Sequence, residues 1–98
     1  VNPFSVTYPN DSSYVGGYVL FNLSYDISRS SKPQIAIYKT PEGGGTREVY
    51  LYNTKYQSNH ALLQLHQHIE YITPGDTITV TASQFISNVS FKGFKLGT

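Results

Sequence analysis

The stretch from Ala61 to Val80, ALLQLHQHIEYITPGDTITV, alternates apolar and polar residues with a period of two on both sides of Pro74-Gly75-Asp76. In an extended chain successive side chains point to opposite faces, so this spacing fits β-strands better than an amphipathic helix. Leu63, Leu65, Ile69 and Tyr71 share one face, and Gln64, His66, His68 and Glu70 share the other. The apolar set is expected to line a core. The polar set is expected to meet solvent or a neighbouring subunit. Past the Pro-Gly-Asp turn, which predicts a hairpin or a corner, Ile78, Val80 and Ala82 oppose Thr77, Thr79, Thr81 and Ser83.

The same period recurs along the chain. Phe4 to Tyr8 predicts a short strand stopped by the turn residues Pro9, Asn10, Asp11 and Ser12. After Gly16-Gly17, a long strand puts Val19, Phe21, Leu23, Tyr25 and Ile27 on one face, predicted to be the core face. Gln34 to Lys39 predicts a strand with Ile35 and Ile37 turned together, and Pro41 to Thr46, with three consecutive glycines, suits a hairpin tip. A phosphate-cradling loop would need a helix directly after it, and Arg47 to Asn53 reads as another strand. In that strand Tyr50 and Tyr52 face away from Val49 and Leu51, which places the tyrosines on a surface or a subunit contact. Val89 to Leu96 closes the chain, with Gly93 as a candidate bulge. About seven or eight short strands punctuated by Gly, Pro and Asn predict an all-β, antiparallel β-sandwich.

At 98 residues the chain has room for one domain, taken here as residues 1–98. It has no cysteine, so neither a disulfide framework nor a thiolate zinc site can support a small core, and oligomerisation is the usual remaining device. A net charge of +1, with no basic run, argues against nucleic acid as a partner. No apolar run is long enough for a membrane-spanning helix, so membrane insertion is not expected. Nine Tyr, five Phe and only 13% charged residues leave uncharged polar and aromatic surface, the composition of binding faces and protomer contacts. The opening VNPFSV has no leader pattern, and the chain is expected to be a piece of a longer, stem-bearing protein.

Two groups of residues invite a chemical reading. A strand puts His66, His68 and Glu70 on one face, where two imidazoles could share a metal ion, yet a polar strand face is ordinarily just solvated, and no metal or other cofactor is expected. Arg47, Tyr50, Tyr52, Tyr56, Asn59 and His60 could form a sugar-binding surface, since aromatic faces stack on pyranose rings and polar neighbours bond hydroxyls. The six acidic residues, with Asp11, Glu42 and Asp76 in turns and Asp26, Glu48 and Glu70 on strands, do not suggest a facing catalytic pair, and no nucleophile elbow is present. An enzyme is therefore not expected. Asn10-Asp11-Ser12, Asn22-Leu23-Ser24 and Asn88-Val89-Ser90 match the N-glycosylation pattern, which matters only for a eukaryotic secreted protein.

Taken in order, Val15-Gly16-Gly17-Tyr18-Val19-Leu20-Phe21, Ile35-Ala36-Ile37-Tyr38-Lys39, Leu63-Gln64-Leu65, Pro74-Gly75-Asp76-Thr77-Ile78-Thr79-Val80 and Val89-Ser90-Phe91-Lys92-Gly93-Phe94-Lys95-Leu96 resemble the strand signatures of tumour-necrosis-factor-like and complement-globular-head jelly rolls. The Gly-Asp turn and the terminal Phe-x-Gly-Phe-x-Leu carry most of the likeness. Compact versions of that fold head the receptor-binding and tail-fibre proteins of bacteriophages. The resemblance implies a jelly-roll sandwich, a homotrimer, and an adhesion role on a virion surface or outside a cell, with a host-surface saccharide as partner. Two alternatives stand beside it: a secreted trimerisation and protein-binding module of the complement-head kind, and a carbohydrate-binding module attached to a hydrolase.

Overall fold

The computed structural model describes residues 4–8, 14–29, 31–55 and 60–97. Seven strands run through them: β1 (Phe4–Thr7), β2 (Gly17–Ile27), β3 (Gln34–Thr40), β4 (Arg47–Asn53), β5 (Leu62–Ile72), β6 (Thr77–Ala82) and β7 (Ile86–Lys95). They form two antiparallel sheets, one ordered β1-β6-β3-β4 and the other β5-β2-β7. A single core lies between them, so the chain is an all-β sandwich. β2 contributes Val19, Phe21, Leu23, Tyr25 and Ile27, met by Ile35 and Ile37 from β3, Ile78 and Val80 from β6, Ile72 from β5 and Ile86 from β7. The alternation in β2 and β6 thus faces the way hydropathy predicts. Each fully buried aliphatic or aromatic side chain here is worth about 1.5–3 kcal/mol of transfer free energy.

Pro74-Gly75-Asp76 is a corner rather than a hairpin, because β5 and β6 belong to different sheets. Gly75 has φ of 89°, the left-handed region that suits glycine. Its amide donates to the Tyr8 carbonyl, while the Tyr8 amide donates to the Asp76 carbonyl, so the corner is tied to the residue just past β1. Asp76, expected in a turn, is buried there: its carboxylate accepts the Thr73 amide at 2.8 Å and closes the turn from inside. The β3–β4 connection is the expected hairpin, with Gly44 and Gly45 both at positive φ and the Gly44 amide bonded to the Pro41 carbonyl.

The irregularity predicted at Gly93 lies elsewhere. The β2–β7 register shifts between Ser24 and Asp26, opposite Asn88, which has φ of 51°. Asn88 is a residue type that tolerates this region, and its amide holds Asp26 at 2.7 Å. Gly93 stays in register with Phe21, and there its missing side chain is what matters.

The largest departure is in β5. Leu63, Leu65, Ile69 and Tyr71, expected in the core, are exposed, while Gln64, His66, His68, Glu70 and Ile72 point inward. Pairing with β2 decides this. His66 sits opposite Leu23, His68 opposite Phe21 and Glu70 opposite Val19, and residues directly opposite in an antiparallel ladder share a face. Ile72, fully buried beside the corner, sets the phase of the strand. A one-residue slip would restore the leucines to the core but turn Ile72 out.

Candidate functional site

Strands β4 and β5 are edges of their respective sheets, and the inward polar face of β5 lies against β4. The side chains that meet there belong to both groups singled out in the sequence. Tyr50 and Tyr52, expected on an outer surface, are half-buried against the core and face His66. Pairing with β3 explains the change, since Tyr52 lies opposite Ile35 and Tyr50 opposite Ile37, both core residues. The β3–β4 register shifts between Ile37 and Tyr38, leaving Val49 as an extra residue, so that Val49 and Tyr50 both pack inward.

His66 is 9% exposed and lies between two phenols. Its Nε2 is 2.7 Å from the Tyr25 hydroxyl and its Nδ1 2.9 Å from the Tyr50 hydroxyl, so one ring nitrogen donates and the other accepts. The Tyr25 ring stacks on the imidazole and the Tyr52 ring approaches it to 4.6 Å. Burial holds the His66 imidazole below its usual pKa and pushes the Tyr25 phenol well above its own, with Tyr52 and Tyr50 adding to the latter. The chain Tyr25–His66–Tyr50 is therefore a neutral hydrogen-bond relay built into the core, fully satisfied at both ring nitrogens.

Four residues further along β5, at Glu70, the seam becomes charged. Glu70 accepts from Lys39 Nζ at 3.1 Å and lies 2.9 Å from His68 Nε2, with the Arg47 guanidinium 3.9 Å away. Lys39 also donates to the Tyr71 carbonyl at 3.0 Å. Burial pushes the Glu70 carboxyl up, but hydrogen bonds from His68 and Lys39, together with their charges, outweigh it and hold the group below the usual carboxylate range. Beside this cluster, a cleft of about 220 Å³ is lined by Lys39, Pro41, Gly45, Arg47, Thr73 and Asp76. Arg47 leaves most of its guanidinium in solvent at the mouth.

The six residues proposed as a sugar surface do not form one patch. Arg47 lies at the charged end of the seam and Tyr50 and Tyr52 in its middle. His60 precedes β5, beyond the far end of the seam, in a separate shallow cleft with Ser28, Arg29 and Ala61. Tyr56 and Asn59 fall outside the described residues. As for a metal, His66 is occupied by two tyrosines and His68 by Glu70, and among the described residues no three His, Asp or Glu side chains converge on a common point. Lys39 was missed as a site residue. Its signal was its place next to the glycine hairpin, where β3 and β4 pair it with Arg47.

Comparison of the chain with protein-family models, curated proteins and solved structures returns no match.

Proposed function

We propose that this chain is a non-catalytic receptor-binding head, of the adhesion kind found on phage tails or outside cells, that recognises a saccharide at the charged end of the β4–β5 seam. The observation that supports this most is that Lys39 and Arg47, the two cations beside Glu70, both line an open cleft whose other walls are Pro41, Gly45, Thr73 and Asp76. Saccharide hydroxyls are bound well by rigid, charged hydrogen-bonding groups, and Glu70 and Lys39 are held in place by their mutual ion pair. Arg47 supplies the adaptable contact. The jelly-roll affiliation, threefold assembly and virion or extracellular location belong to the same proposal and rest on the strand motifs alone.

Titration of the chain with host cell-wall and surface saccharides, followed by amide chemical shifts, tests it. The expected result is binding that shifts Gly45, Arg47 and Thr73, weakened in Arg47→Ala by the loss of a charge-assisted bond, about 1.5–3 kcal/mol or roughly ten- to a hundred-fold in Kd. A panel that shifts none of those amides, or shifts them equally in Arg47→Ala, defeats the reading.

A further inference from the structure

The outer faces of the two sheets differ in kind. On the four-stranded sheet, hydroxyls pair across strands, Ser5 with Thr79 at 2.9 Å and Thr7 with Thr77 at 3.0 Å, as on an ordinary solvated face. On the three-stranded sheet the outward face is mixed: large apolar side chains are exposed on either side of a polar middle row of Gln67, Asn22 and Lys92. Leu63, Leu65, Ile69 and Tyr71 of β5, Tyr18 of β2 and Phe94 of β7 are between 46 and 71% exposed. The β2–β5 and β2–β7 registers make four of them neighbours: Tyr71 is opposite Tyr18, their rings edge to face at 5.1 Å, and Ile69 and Phe94 flank Leu20, while Leu63 and Leu65 follow on the far side of Gln67, opposite Asp26 and Ser24.

We infer that this face is the contact surface for a second copy of the same chain, packed sheet face against sheet face. Area is the first argument. At about 200 Å² for a fully exposed large residue, the six side chains, in two groups either side of the middle row, together present on the order of 700 Å², close to the 800 Å² or so that one partner contributes to a standard interface. Charge is the second. Along β2, β5 and β7 the charged outward positions are Asp26, already held by Asn88, and Lys92 on the outer strand β7, so covering this face desolvates few charges. A basic rim of the kind that draws a protein onto an anionic lipid surface is missing from these positions. The third argument is internal. β5 spends its inward positions on the His66–Glu70 network, so the apolar surface it carries is buried only if something covers the outside. Two twisted three-stranded sheets packed face to face at about 30° would do this in the same way as the chain's own sandwich core. The inference rests neither on the saccharide reading, since the cleft and this face are on different sides of β5, nor on the threefold assembly proposed with it, to which a self-complementary face-to-face pair is an alternative.

Sedimentation of the full chain across the micromolar range is expected to show assemblies that grow with concentration and collapse to monomer in the Leu65→Lys, Ile69→Lys double variant. Because the chain has no cysteine, single cysteines provide a second readout that keeps the native apolar face. Gln67→Cys, midway along β5 between Leu65 and Ile69, is expected to cross-link copies on oxidation, whereas Ser5→Cys, on the hydroxyl face, is not. A wild-type chain that stays monomeric throughout, or a Gln67→Cys variant that cross-links no better than Ser5→Cys, overturns the inference. So does a monomer that covers this face with detergent or lipid instead.

Discussion

Gly93 leaves little room for a side chain. A Cβ built there would lie 2.9 Å from the Tyr8 hydroxyl and 3.1 Å from both Phe21 and Val19, against a cluster in which the Tyr8 and Phe21 rings meet edge to face, and these core neighbours would have to give way. Gly93→Ala is therefore expected to destabilise the fold by about 1–3 kcal/mol, the usual cost of overpacking. Gly43, in the β3–β4 turn, has nothing within 4 Å of the same position, and Gly43→Ala should leave the denaturation midpoint almost unchanged. Urea unfolding of the two variants side by side checks this, and equal midpoints would refute it. The sequence pointed to Gly93 as special but for the wrong reason. Glycine in a strand signals either a bulge or a close approach, and only the neighbours across the core distinguish them.

At the scale of an element, β5 is the strand that hydropathy misread. Its two faces are both regular in sequence, but the inner one is polar and becomes tolerable only because Tyr25, Tyr50, Lys39 and the backbone of Tyr71 supply partners. A local sign was present: Leu62 and Ile72 bracket the even-numbered set, in phase with His66. The facing has a measurable consequence in pH. His66, whose pKa is lowered in the fold, binds a proton more readily when unfolded, so its contribution is complete above the usual imidazole value of 6.5 and declines as pH falls below it toward the folded value. Glu70, also lowered, adds a further loss that starts only below its usual 4.5. Thermal melts are expected to show a Tm that falls in two stages on acidification, with the first stage reduced in His66→Gln. An unchanged first stage in that variant would mean His66 is not the group responsible. Tyr25→Phe, which leaves a buried ring nitrogen without its partner, is expected to cost about 1–3 kcal/mol at neutral pH.

For the whole molecule, the balance between inside and outside is unusual for a chain of this size. It places an ion cluster and a neutral Tyr-His-Tyr relay between its sheets and leaves leucine, isoleucine and aromatic surface outside. A partly buried ion cluster is weak support for stability compared with apolar packing, so the isolated sandwich is expected to be modestly stable and to gain from association. If copies associate through the apolar face, the apparent Tm should rise with protein concentration, by mass action, and that rise should vanish in the Leu65→Lys, Ile69→Lys variant. Calorimetry at several concentrations would show it, and a Tm independent of concentration in the native chain would count against assembly.

Period-two spacing and the placement of Gly, Pro and Asn were enough, by themselves, to determine that this chain is all-β, where its strands run, and that Val19 to Ile27 line a core. Those are local properties, set by the extended backbone and by residues that stop or turn it. Which side of β5 and β4 faces inward, where the bulges fall, and that His66, Tyr50, Lys39 and Glu70 meet at all were decided only by the tertiary structure. Each depends on register, and register comes from partners far away in sequence: Leu23 opposite His66, Ile37 opposite Tyr50, and Ile72 sealed beside the Pro-Gly-Asp corner. A strand with two regular faces carries no label saying which is inside, and here the polar one is, because the other sheet brings it hydrogen-bond partners.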